Sequence, residues 1–251
     1  MGTRNLSLVY ADGEYKMAKY CQWDGYPESR GVDALEIARS FDPNKLREVI
    51  SELRPVGEKE ANEILEKTQG IVKEIAGNHG ANSDVSGFYL NDAASALCPG
   101  ISRNYGMDLI NILTEKRWPN PFPHSIMPEI ADRLGMTDRE VDRFLMDIAN
   151  YPFPEDGLPI FQDLEFAADS IFCEWAYLID LDNGTFEVFE GFNHDKLKKG
   201  DRFYFLMKKA PGNDVHRESY WPIKLAKSYP LDDLPDPEVF IEDFQPEEGD
   251  E

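Results

Sequence analysis

The sequence predicts an α+β fold: an antiparallel sheet formed by N- and C-terminal hairpins, with a helical middle section packed on it. Near each end, two strand-like runs flank an Asp-Gly or Asn-Gly dipeptide, the strongest short-range hairpin signal. Between them, residues 32–150 carry apolar side chains at helical spacing. A hydrophobic content of 41% over 251 residues suffices for a buried core. The expected organisation is one α+β domain over residues 1–230, followed by an acidic tail over 231–251.

Leu6-Ser7-Leu8-Val9-Tyr10 and Tyr15-Lys16-Met17-Ala18-Lys19-Tyr20-Cys21 flank Asp12-Gly13, which places the first hairpin. After Gly25, Pro27 and Gly31, a helix over 32–41 would bury Ala34, Leu35, Ile37, Ala38 and Phe41. Asp42-Pro43 then supplies an N-cap with proline at the first helical position, and Leu46, Val49, Ile50 and Leu53 share one face of the next helix. Pro55 and Gly57 end it. Ala61, Ile64, Leu65, Thr68, Ile71, Val72 and Ile75 predict a helix over 58–76, stopped at Gly77-Asn78-His79-Gly80.

The polar stretch to Gly87 reads as a loop, and Met107, Leu109, Ile110 and Leu113 fall at helical spacing within 104–116. Trp118-Pro119-Asn120-Pro121-Phe122-Pro123 interrupts regular structure, because proline lacks a donor and restricts its predecessor. Two short helices follow, around 128–134 and 138–149, then a proline-rich connector over 151–159. Strands are expected over 170–180 and 185–189, around Asp182-Asn183-Gly184, with a further strand over 202–208.

Composition removes several functions. A formal net charge of -22 repels phosphate backbones, since nonspecific nucleic-acid binding relies on Lys and Arg releasing counterions; nucleic acid is a poor default partner. No Lys or Arg follows Lys227, while acids crowd the end, a one-sign run expected to be solvated. No apolar run approaches the roughly 18 residues a membrane helix needs, and the first residues show neither a leader pattern nor, with Leu6 in place of Ser or Thr, a myristoylation signal. A soluble cytoplasmic protein without a membrane partner is expected.

Cys21, Cys98 and Cys173 are odd in number and widely spaced, which suits a reducing compartment and small core residues. With His79, His124, His194 and His216 they form no pair at zinc-ligand spacing, so no metal is expected. Counting from Asp180, Gly184 is fifth and Glu187 eighth, whereas a calcium loop of the EF-hand type needs glycine sixth and glutamate twelfth. No phosphate-binding glycine loop or nucleophile elbow occurs, and no cofactor is expected.

The first candidate site is the end of the first hairpin, where Gln22, Trp23, Asp24, Tyr26 and Arg30 share a glycine-containing loop after a rigid strand, with Arg4 within reach from the partner strand. The structural reading beside it is that Trp23 and Tyr26 plug the core edge while Asp24 caps the turn. The second is a buried charge: Glu174 interrupts the apolar run 171–179 and needs a partner, for which Arg4 or Arg103 could serve, either architecturally or functionally. The third is residues 130–141, helix, Gly135 and helix, the pattern of a helix-turn-helix. Thr137 and Glu140 explain that start as a capping box, and Asp138, Glu140, Asp142 and Asp147 oppose DNA on the second helix.

Met1-Gly2-Thr3-Arg4 with Gln22-Trp23-Asp24-Gly25-Tyr26-Pro27 resembles a family of uncharacterised phage and fungal proteins, as do Ser102-Arg103-Asn104 and the segment 172–180. The resemblance touches both ends of the chain and implies no activity. The leading functional expectation is a noncatalytic binding or regulatory protein whose small-molecule or protein ligand docks at residues 22–27. The alternative is a hydrolase with the architecture of N-terminal-nucleophile enzymes, weakened because Gly2 has no nucleophilic side chain. A helix-turn-helix DNA binder is third.

Overall fold

The computed structural model describes residues 2–81, 88–210 and 220–245. In chain order the elements are β1 (Asn5–Ala11), β2 (Glu14–Cys21), α1 (Val32–Ser40), α2 (Pro43–Ile50), β3 (Leu53–Val56), α3 (Glu58–Asn78), α4 (Phe88–Leu97) and α5 (Leu109–Glu115). There follow α6 (Met127–Leu134), α7 (Asp138–Ala149), β4 (Leu158–Phe161), β5 (Trp175–Asp180), β6 (Thr185–Glu190), β7 (Lys224–Pro230) and α8 (Pro237–Glu242). They divide into two compact units, one of residues 1–51, 106–110 and 162–251, the other of residues 52–105 and 111–161.

In the first unit the strands form one sheet in the order β2-β1-β5-β6-β7. Asp12 and Gly13 both take positive φ, +56° and +81°, the tight turn whose twist matches a hairpin. The two terminal hairpins do share one sheet, but their junction is not antiparallel. β1 and β5 run parallel, from Asn5 opposite Trp175 to Tyr10 opposite Asp180. The turns explain this choice. Side by side, they let the Asp182 carboxylate accept from the Asp12 and Gly13 amides at 3.0 and 2.8 Å, while Arg47 bridges Asp12 and Asp182. An antiparallel junction would put the turns at opposite ends and lose the bonds that join them through Asp182.

Alternation along the strands sends Leu6, Leu8, Ala18, Ala176, Leu178 and Phe189 into a core with Phe203, Leu206 and Ile223. The intervening Val9, Met17, Tyr177, Ile179, Phe186 and Val188 are equally buried on the other face. Each such apolar side chain contributes roughly 1.5–3 kcal/mol of burial. Two-sided burial is why β5 reads as a near-continuous apolar run rather than an alternating one. Within the stretch expected to be an acidic tail, α8 is helical and drives Phe240 completely out of water against Phe186 and Tyr229.

α2 starts where its first residues dictate: Asp42 accepts from the amides of Asn44 and Lys45 ahead of Pro43. Residues 202–208, expected to be a strand, form instead a short turn, because Arg202 is pulled inward by two carboxylates. The strand that completes the sheet is β7, whose Lys-Leu-Ala-Lys-Ser sequence lacks a strand signature but suits an edge ending in proline.

In the second unit the short β3 and β4 pair in parallel, a pairing hidden by the prolines they contain. The helices α3, α4, α6 and α7 supply its remaining bulk. α6 stops at Gly135 in the left-handed region, and α7 starts with the Thr137–Glu140 capping box, whose hydrogen bonds hold the Glu140 carboxyl below its usual range. Trp118 anchors the proline-rich connectors by donating its indole N–H to the Tyr151 carbonyl at 2.7 Å and stacking on Phe153. No helix among the described residues is long and apolar enough to cross a membrane.

Candidate functional site

β2 ends at Cys21, and the chain must then turn back across the start of β1. Gly25 makes that approach possible: its amide donates to the Thr3 carbonyl at 3.0 Å, and a Cβ there would lie 2.9 Å from the carbonyl carbon of Arg4. Asp24 precedes it with φ +58°, and its carbonyl accepts from the Arg30 amide at 3.2 Å. The Gly25 carbonyl accepts from the buried Tyr177 hydroxyl at 2.8 Å. Burial raises the Tyr177 pKa well above its ordinary value, so the phenol stays a donor. A five-residue π-helix (Pro27–Gly31) then runs directly into α1.

This seating leaves the large rings outside. Trp23 is 51% and Tyr26 50% exposed, so neither plugs the core edge. Trp23 instead covers Gly2, where a Cβ would fall 2.3 Å from the indole. Gln22 is half-buried and accepts from the Tyr20 hydroxyl. The Arg4 guanidinium lies 4.8 Å over the ring of Phe172, itself 46% exposed. Arg30 donates to Asp108 at 2.8 Å and Asp33 at 3.2 Å, which ties the loop to residues 106–108.

Glu174 sits at the same strand end, half-buried. Its carboxylate accepts the backbone amide of Arg4 at 3.2 Å, so Arg4 serves it through its main chain while its side chain stacks elsewhere. The expectation of a buried charge at Arg103 does not hold: that side chain is exposed and belongs to the second unit. An exposed guanidinium needs no buried carboxylate, because water solvates it. Cys21, Cys98 and Cys173 are buried, unbridged thiols. Burial pushes the Cys173 thiol well up, away from the thiolate a nucleophile requires.

The buried charge lies instead at the opposite end of the sheet. Arg202 donates from Nε and Nη2 to the two oxygens of Glu187, both at 2.7 Å, and from Nη2 to Asp180 at 2.5 Å. Asp180 is fully buried and also accepts the Asn183 side chain and the amides of Asp182 and Asn183. Burial alone would raise the Asp180 carboxyl, but these hydrogen bonds and the guanidinium outweigh it and hold the pKa below its ordinary value. A second such pair joins Lys19, 1% exposed, to Asp163 at 2.6 Å. Sequence reasoning missed both, although a charged residue at an inward strand position is the signal that marks Lys19, Asp180 and Glu187.

No protein-family model, no curated protein and no solved structure matches the chain.

Proposed function

We propose that this protein is a noncatalytic binding protein that docks a protein partner through residues 22–27 and the adjoining strand ends. One observation carries the reading. Of the nine large hydrophobic side chains exposed among the described residues, four, Trp23, Tyr26, Phe172 and Phe192, flank the end where β1 and β5 begin and β6 finishes. Arg4 stacks among them, and Trp, Tyr and Arg are the residue types enriched in interface hot spots. The backbone beneath is fixed by Gly25 and Tyr177, so little ordering entropy remains to be lost on binding.

Exposed rings spread over several strand ends suit a broad protein surface better than an enclosed small molecule. Asp24 and Glu28 are exposed beside them, and the chain carries -22 overall, so the complementary partner presents an apolar centre ringed by Lys and Arg. The test is affinity capture with matched full-length baits. A partner held by the native chain should be lost with Trp23→Ala or Tyr26→Ala and kept with Met146→Ala, an exposed residue of α7. The melting temperature should move by no more than about 2 °C in each variant. Retention of the same partner by Trp23→Ala, or a large loss of stability, would refute the reading.

A further inference from the structure

In the second unit, α3, the end of α4 and the proline-rich connectors line a cleft of about 400 Å³, within the size range of small-molecule sites. Ile64, Ile71, Leu97, Trp118, Phe153 and Pro159 give it a mostly hydrocarbon wall. Periodicity puts Ile64 and Ile71 on the same apolar stripe of α3 as Thr68 and Val72. Thr68 and Val72 are buried, whereas Ile64 and Ile71 stay half-buried, as does Phe153, so these three side chains remain within reach of a ligand.

The polar groups of the wall decide what the cleft can hold. The Thr68 hydroxyl donates to the Ile64 carbonyl at 2.7 Å, the Cys98 thiol to the Ala94 carbonyl at 3.1 Å, and the Trp118 indole to the Tyr151 carbonyl at 2.7 Å. Each donor is spent within the wall. Arg54 is spent too, donating to Glu60 at 2.7 Å with its Nε 3.3 Å from Asp156. Lys67 is exposed, on a helix that carries five acids against three lysines, so water solvates it and no positive field builds at the rim. The Phe153 ring already holds the Lys116 ammonium 5.1 Å from its centroid and stacks on Trp118 at 4.7 Å, so its attraction for a cation is taken up by the chain itself. A charge entering the cleft would lose its hydration with no partner in return.

We propose that this cleft is a binding site for a small, uncharged, largely hydrocarbon molecule of about naphthalene size. Binding is driven by removing the half-buried faces of Ile64 and Ile71 from water together with the ligand's own apolar surface. The site belongs to the second unit, whereas residues 22–27 belong to the first, and neither depends on the other.

Three probes of similar shape separate apolar burial from charge: 2-naphthol as the neutral molecule, 2-naphthoate as the anion, 2-naphthylmethylamine as the cation. In saturation-transfer NMR titrations on the full chain at pH 7, 2-naphthol should bind at least about tenfold more tightly than either charged probe. Ile64→Trp, which fills the cleft, should abolish 2-naphthol binding, and Trp23→Ala should leave it unchanged. Nuclear Overhauser contacts from bound 2-naphthol to the Ile64 and Ile71 methyl groups locate the site in the native chain, whether or not Ile64→Trp keeps its native circular dichroism. Either charged probe binding as tightly as 2-naphthol would overturn the assignment of an uncharged ligand. Failure of 2-naphthol to bind, absence of those contacts, or unchanged affinity in a folded Ile64→Trp chain would overturn the site.

Discussion

Replacing Arg202 by alanine strips two buried carboxylates of their cation at once. Asp180 is fully buried, the Glu187 side chain is 11% exposed, and three hydrogen bonds of 2.5–2.7 Å join them to the guanidinium. Each charge-assisted bond is worth roughly 1.5–3 kcal/mol net, but the three share one side chain and do not add. Removing one member of a buried pair costs about 3–5 kcal/mol, mostly through the charge left behind. We expect a loss in that range at pH 7, read as a drop in the urea midpoint at unchanged slope.

The pH dependence carries the sign. In the native chain Asp180 titrates below its unfolded value of about 3.9, so its stabilisation is complete above that pH and is lost as pH falls through the folded pKa. In the Arg202→Ala chain burial still raises the Asp180 carboxyl, while the cation that helped to hold it down is gone, so its pKa rises. That variant regains stability as acid protonates Asp180. The gap between the two proteins should therefore be widest near neutrality and narrow below about pH 5. A loss under about 1 kcal/mol, or a gap that does not change with pH, would show that the carboxylates do not depend on Arg202.

Two further outcomes probe the frame of the first unit. Phe240→Ala should cost about 3–5 kcal/mol in a urea melt, because the ring is completely buried among Phe186, Tyr229 and Phe244; a loss typical of a solvated tail would contradict the packing of α8. Asp182 titrates at about 2, chiefly because of the Gly13 amide, then Arg47 and the Asp12 amide, so Asp182→Asn should destabilise the protein at pH 7. That difference should shrink as pH falls below the unfolded carboxylate value of about 3.9, followed by melting temperature from pH 6 to pH 3.

Local chemistry made much of the fold legible. Asp12-Gly13 dictated a hairpin because both positions need positive φ, Asp42-Pro43 dictated a helix start, and Thr137 with Glu140 dictated another. These signals act within four residues, so the sequence states them directly. β7 and the β3–β4 pair were illegible because an edge strand and a proline-bearing strand gain their order from a neighbour distant in sequence.

The candidate site divided the same way. The sequence by itself determined that Trp23, Asp24 and Tyr26 share a tight loop after β2, since glycine and proline impose the turn. Only the tertiary structure decided that the rings face water, because that depends on Gly25 pressing against Arg4 and on Tyr177 holding the loop from a strand some 150 residues away. It also decided which charges are buried. Arg103 is exposed, while Arg202 is drawn between Asp180 and Glu187, since a guanidinium leaves water only where folding has already brought two carboxylates together.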